Sequence, residues 1–467
     1  MNRRNFIFST AVAAAAAGTI CSAQKSETSA LKSIETDICV LGGSCTGTFA
    51  AVRAAQLGAK VVLVEKQNCF GGVATSSLIN VWHTLYDTIH QTQIIGGLTE
   101  EVINRLKKRN AVKNYENDLK GPWALNSQEL KIELDELVLE NKITPLLHTL
   151  FSEPVTEDEK LLGVIVDNKS GRSIIKAKQF IDCTGDADLC FRLGIDHYTF
   201  PMLQPPTTAA HFNHFDFGLF NKTLKEHGKE FGIPSGFVWG ATVPGSQTVM
   251  ISGTRIYGVD CSVADELTKA EIEGRRQIRA MQDMLRKYHP DKNFVLTALP
   301  SYTGVRETRH IKSLYQVSDD DGLYGKRFDD AIANGSYVFD QHHQDKPGIT
   351  FKELDGTYRY TGGTIGDEEY PATRGRWREE TETNPTFYQI PLRSIVPLKF
   401  NNLMMAGRMF DAGIVAFSGM RVMVNMNQLG EAAGVASYLA LHQNKPVQKI
   451  DAAEVRKVLK DKGAVII

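Results

Sequence analysis

Two separated segments hold side chains able to move a proton. In YVFDQHH, Asp340 stands two residues before His342, and in RETRH, Arg306, Glu307 and Arg309 follow one another closely. A histidine beside a carboxylate is a candidate general base, because the carboxylate fixes the ring tautomer and supports the charge that a proton brings. A structural ion pair is the competing reading of the same two residues. Arginine forks suit a substrate carboxylate or another planar acceptor, and salt bridges between domains use them equally well. Arg393 and Arg421 carry the same two readings. His342, Asp340, Arg306 and Arg309 form the candidate catalytic set.

A cofactor turn is the second chemical feature. Leu41 to Gly47 reads LGGSCTG, and a Gly-x-Gly-x-x-Gly turn counted back from Gly47 asks for glycine at 42 and 44, where 44 is serine. The first glycine permits the tight turn, the second lets backbone approach a pyrophosphate, and the third lets the helix pack on its strand. The helix N-terminus adds N–H groups and the positive end of its dipole. Ser44 is tolerable there if its hydroxyl faces a phosphate oxygen. Glu65 ends the next apolar strand at the distance where an acid accepts hydrogen bonds from ribose hydroxyls and disfavours a 2′-phosphate.

The elements that must position these groups are legible in outline. DICVL, TGTFAAVRAAQLG and KVVLVE read as strand, helix and strand, with the near-continuous apolar strands of a parallel sheet buried on both faces. Ala50, Ala51, Ala54 and Ala55 give that helix a small face for the sheet. Helices are expected from near Thr99 to Arg109 and from Asn126 or Ser127 to Asn141, then strands in TPLLHTLFSEPV, LLGVIVDN and SIIKAKQFIDCTG. A mixed stretch with a long helix from Asp265 to Tyr288 follows, and apolar strand and glycine signals resume at NNLMMAGR. His211, Phe212, His214, Phe215 and Phe217, with Trp82, His83 and Tyr86, either line a pocket or form an apolar core with satisfied histidines; their alternation favours the core. Neither histidine group has metal-ligand spacing, so no metal is expected.

Further glycine-bearing segments point to FAD rather than NAD. Gly71 and Gly72 in NCFGGVAT allow a loop to close on a cofactor, FIDCTGDADL ends a strand in a Thr184-Gly185-Asp186 turn, and NLMMAGRMFDAG leads into RVMVNMNQLGEAAGVASYLA. As an ordered set, VLGGSCTG, GGVAT, CTGDADL, RETRH, YQIPLRSIVP and NLMMAGR with RVM resemble the FAD-dependent oxidoreductases of the glutathione-reductase-like superfamily across nearly all of the chain. The resemblance implies that Gly42, Ser44 and Gly47 hold the pyrophosphate, and Glu65 the adenosine ribose. It implies that Thr184, Gly185 and Asp186 hold the adenine side, and Gly407, Arg408 and Asp411 the ribityl and flavin end. Gly43, Cys45, Thr46, Lys66, Gly72, Thr75 and Arg421 are assigned to the same site. Many members carry a histidine in the loop after AGR; Ile414 stands there in this chain, so an acid/base role at that position does not carry over.

Composition excludes other classes. With 467 residues, 42% hydrophobic and 23% charged, the chain suits a globular protein of two domains. A net charge of -1 gives no reason to expect nucleic acid or an anionic membrane as partner. The leader MNRRNFIFSTAVAAAAAGTICSAQ pairs Arg3-Arg4 with a short, mildly apolar stretch and a small-residue site, and reads as a twin-arginine export signal cleaved after Ala23; a general secretory signal is the alternative. The apolar stretch is too weak for stable membrane insertion. Beyond it, Cys39, Cys45, Cys69, Cys183, Cys190 and Cys261 show no disulfide or metal pattern.

The expected architecture is α/β: a Rossmann-type FAD-binding domain, discontinuous over 34–80, 142–200 and 386–445, with an inserted mixed α+β substrate domain formed by 81–141 and 201–385 and a C-terminal tail at 446–467. The expected protein is an exported, periplasmic FAD-dependent oxidoreductase that oxidises a small polar substrate, such as a sugar, polyol or hydroxy acid, and passes electrons to an unidentified acceptor. Reduction of an activated double bond, with Arg306 or Arg309 as proton donor, and a non-redox lyase or isomerase reaction are the alternatives. A homodimer is left open.

Overall fold

The computed structural model describes residues 31–114, 120–363 and 368–467; the leader with its Arg3-Arg4 pair lies outside them. At the centre is a parallel sheet in the order Leu403–Met405, Gln179–Asp182, Ile38–Leu41, Val61–Val64, Thr144–Leu146. The first four strands are buried along their whole length, as their apolar sequences require. The Lys160–Asn168 strand pairs antiparallel with Leu150–Glu157 and Gly171–Lys176, making the expected meander. Asp158 (φ 51°) and Gly171 (φ 100°) turn its corners.

The helix Cys45–Gln56 is pressed between this sheet and the long helix Met423–Gln443. Glycines make the approach possible: a Cβ at Gly430 would stand 2.0 Å from Thr46 O, and one at Gly434 2.3 Å from Ala50 O. The small face expected to meet only the sheet therefore also meets a helix. Arg53 and Glu431 pair across the contact at 2.6 Å, almost wholly buried. Glu431 also accepts from Leu98 N at 3.0 Å, and Arg53 donates to Lys462 O at 2.9 Å.

A second, smaller core lies within residues 209–298. Its antiparallel sheet runs in the order Trp239–Thr242, Thr248–Ser252, Ala209–Asn213, Val295–Ala298, and it is packed by Phe217–His227 and Ala264–Tyr288. Phe212, Phe215, Phe217, Phe220 and Phe294 fill it, so the aromatic run of the sequence is largely core.

The packing divides the chain differently from the expected boundaries. Trp82, Leu98, Val102, Leu130 and Leu134 from 81–141, and Ile311, Phe339 and Leu354 from beyond the second core, belong to the main core. Helices Gly97–Lys108 and Ser127–Glu140 bury their apolar faces there, the latter capped by Asn126 accepting from Gln128 N and Glu129 N. Residues 446–467 are no tail: the helix Ala452–Asp461 buries Val455 and Leu459 in the same core. Among the described residues no helix is long and apolar enough to cross a membrane.

Candidate functional site

A cavity opens at the carboxyl ends of the central strands, with about 1190 Å³ of empty space including its open mouth. One wall is the turn after Ile38–Leu41. Gly42 has φ 96°, and a Cβ there would lie 2.3 Å from Cys183 O; a Cβ at Gly47 would lie 1.8 Å from Gly42 O. The first and third glycines are therefore required by the backbone itself. Ser44 needs no such licence, because its φ is −58°; it caps the helix, its Oγ accepting from Gly47 N at 3.3 Å. The room it takes is yielded by Gly72 (φ 55°), where a Cβ would meet Ser44 Cβ at 2.9 Å. Ser44, Cys45 and Thr46 present the helix N-terminus to the cavity.

Glu65 lines the cavity and also holds the turn in shape. Its Oε2 accepts from Gly43 N at 2.6 Å and its Oε1 from Gln67 N at 2.7 Å. Burial raises its pKa, and the two backbone N–H groups oppose the rise. Gly43 thus serves from behind the wall. Lys66 stands 4.9 Å above the Tyr302 ring, and Tyr302 with Asp186 and Asp188 outweighs the burial that disfavours its charge, so its pKa is raised.

The opposite wall comes from Thr184, Gly185, Asp186, Gly407 and Arg408. Arg408 Nη2 meets Asp186 Oδ1 at 2.5 Å, and Thr308 Oγ1 bonds to both. Burial and the Asp186 charge push Asp188 up to about 6. Besides Gly43 and Gly47, which lie behind the turn, Thr75 and Asp411 do not reach the cavity. Thr75 is fully buried and donates to Phe70 O at 2.7 Å, fixing its own loop. Asp411 is turned away, its oxygens taken by Tyr198 OH (2.9 Å), Gln316 Nε2 (3.0 Å) and Ser313 N (2.8 Å).

Arg421 lines the cavity and joins it to a group of charged residues outside its lining. Its Nη2 donates to Asp340 Oδ1 at 2.8 Å and to Gln204 Oε1 at 3.1 Å. Asp340 Oδ2 accepts from Tyr337 OH at 3.0 Å and lies 3.4 Å from His342 Nε2. His83 packs its ring on Tyr337 with centroids 3.8 Å apart. Burial and then Arg306 push His342 down to about 3, and burial pushes His83 down to about 4, so both imidazoles are neutral at pH 7. Arg421, His342 and Arg306 outweigh the burial of Asp340 and keep its pKa below the usual range.

Of the candidate catalytic residues, His342, Asp340 and Arg306 belong to this group and Arg309 does not. Arg309 donates to Asp186 O at 3.0 Å and Ser262 O at 2.9 Å and lies over the Phe191 ring, tying the wall at Asp186 to the segment at Ser262. Arg393 is paired with Asp330 on the surface. Gln204 and Tyr337 were not anticipated. Tyr337 stands three residues before Asp340, a spacing that offered a signal, whereas Gln204 offered none.

The cavity fits a dinucleotide cofactor: it has a glycine turn that a Cβ would fill and a helix N-terminus for phosphates. It also has buried polar atoms without partners among the described residues, Asn427 Oδ1 and Arg421 Nε. Over 167 residues the chain is 29% identical to a mitochondrial dihydrolipoyl dehydrogenase of Schizosaccharomyces pombe, a match covering 32% of this chain and 28% of that protein. Among solved structures, a geranylgeranyl bacteriochlorophyll reductase-like protein of Thermoplasma acidophilum aligns with 92% of this chain and 84% of its own, at 13% identity and a TM-score of 0.47. A flavoprotein/dehydrogenase of Cytophaga hutchinsonii aligns with 91% and 83%, at 12% identity and a TM-score of 0.42. Residues 37–459, from the first strand of the sheet through the last helix, match the model of the FAD dependent oxidoreductases; the chain belongs to that family, and its cofactor is FAD.

Proposed function

We propose that this oxidoreductase removes two electrons and two protons from a hydroxylated polar small molecule, a sugar, polyol or hydroxy acid, leaving a carbonyl. FAD, when bound, supplies the hydride-accepting centre. The observation that carries the reading is the Asp340–His342 pair joined through Arg421 to the cavity wall. Asp340 holds one ring nitrogen of a neutral imidazole, which leaves the other to accept the substrate hydroxyl proton. Tyr337 and Gln204 keep Asp340 and Arg421 in place, and His83 closes the group behind them.

Anaerobic mixing of the FAD-loaded protein with hydroxylated compounds tests this: loss of the oxidised flavin absorbance is expected with a substrate of this class. Reoxidation of chemically reduced enzyme by an enoate, with no bleaching by any hydroxylated compound, would favour the reverse reaction. Arg306 stands in the same group as His342 and Asp340, and burial and Arg421 push it down to about 9, which is the direction a proton donor for that second reading requires. Arg309, engaged with Asp186 and Ser262, is a poor donor for it.

We propose too that the enzyme works after export, because a route that carries folded proteins suits one loaded with its cofactor beforehand. Cell fractionation of the full chain and its R3K/R4K variant tests this; equal export of both would argue against the twin-arginine route.

A further inference from the structure

The residues around Asp340 hold more positive charge and more hydrogen-bond donors than the protein itself answers. Arg421 pairs with Asp340, whereas Arg306 feels that carboxylate only at longer range and takes part in no ion pair among the described residues; its Nη1 donates to Pro205 O at 2.5 Å. Arg255 lies close enough to act on Arg306 and donates to the backbone acceptors Gly253 O and Phe237 O, each at 2.8 Å, with no ion pair among the described residues. His83 and His342 are neutral and contribute no charge of either sign. Arg421 Nε and Gln204 Nε2 are buried donors without partners among the described residues, and both belong to side chains that already touch one another. Buried charges and buried donors left in this state are unfavourable, and an acceptor-rich anion removes both penalties together.

We infer that the substrate carries a carboxylate, so that it is a hydroxy acid or sugar acid whose acidic end is held by Arg306, Arg421 and Gln204 while its hydroxyl faces His342. This deepens the reading of the Asp340 group as the group that meets the substrate and rests on it. A planar carboxylate accepts through two oxygens and matches the arginine fork, which a neutral sugar hydroxyl does not. The geometry also ties binding to chemistry. Arg306 is, after burial, the chief reason His342 resists a proton, and a carboxylate on Arg306 cancels that repulsion. The imidazole becomes an effective base only when an acid occupies the site.

The test uses the full-length, FAD-loaded protein with malonate as a non-oxidisable dicarboxylate and malonamide as its neutral counterpart. Malonate is expected to perturb the flavin spectrum saturably, and malonamide is not. In Arg306→Gln the malonate Kd should rise about thirtyfold or more, with Arg306→Lys between the two. Equal behaviour of malonate and malonamide in the unaltered protein overturns the inference without any variant, whether or not Arg306→Gln folds. The two readings fail separately. Bleaching by neutral polyols without malonate binding sinks the carboxylate and leaves oxidation standing; malonate binding through Arg306 without bleaching by any hydroxylated compound keeps the anion site and sinks oxidation.

Discussion

The wall of the cavity and the charged group joined to it through Arg421 are built on opposite principles. The turn at Gly42 to Gly47 works through backbone: missing Cβ atoms, a helix N-terminus, and a carboxylate, Glu65, that grips main-chain N–H groups. The Asp340 group works through side chains, with each charge set by its neighbours and little main chain involved. A backbone site tolerates few substitutions at its glycines and many elsewhere. A side-chain site can lose one member, keep its shape and lose its chemistry.

The sharpest break in this contrast should come at the third glycine. Gly47→Ala places a Cβ within 1.8 Å of Gly42 O, and the purified variant should be colourless, with essentially all FAD lost; a fully yellow protein would mean the turn does not hold the cofactor. The second test is at the charged group. His342→Ala should keep its flavin spectrum while the rate of anaerobic bleaching by substrate falls by about 10²–10⁴. Loss of colour there would show that the two are not separable.

Acid should divide the regions by sign. His83 and His342 titrate near 4 and 3 in the folded protein and near 6.5 unfolded, so the unfolded chain binds more protons as pH falls below about 6.5. The stability they contribute is present above that pH and is lost toward pH 3, on the order of a few kcal/mol. Asp188, raised to about 6, acts in the opposite sense: its folded form takes the proton first, which relieves strain between pH 6 and its ordinary 3.8. Thermal unfolding of the FAD-free protein across this range should therefore fall with acid, and fall less in a H83Q/H342Q variant; an unchanged pH slope in that variant would disprove the charge assignment. The smallest effect belongs to Ser44→Gly, which should retain FAD and lose only a few tenths of a kcal/mol of helix capping. A bulky Ser44→Phe, facing Gly72, should expel the cofactor.

The same contrast explains what the sequence disclosed. The backbone site was legible because its requirements are local: glycine at 42 and 47, an acid ending the next strand, and Gly71-Gly72 shortly after. Even Ser44, which broke the expected pattern, is accommodated by a glycine found by reading on to 72. Asp411 misled because position along a motif does not say which way a carboxylate turns, and Tyr198, Gln316 and Ser313 had claimed it. The charged site was legible only as residue types. Arg306 and Arg309 looked equivalent, but Arg309 is engaged by Asp186 O and Ser262 O, and only Arg306 stands near enough to Asp340 to feel its charge. Gln204 joins Arg421 across 217 positions, a pairing no spacing rule reaches. The domain boundaries failed for a related reason: apolar faces at Leu98 to Leu106 and Leu130 to Leu137 announce burial without naming the core that receives them.

The buried Arg53–Glu431 pair has a consequence for how the protein is made. Arg53 is made well before its partner, the carbonyl of Lys462 and the sheet strand at Leu403–Met405, and the pair spans 378 positions. The contact between the helix Cys45–Gln56 and the helix Met423–Gln443 cannot close before Glu431 has been added, so a nascent chain interrupted short of it carries the Arg53 guanidinium without that partner.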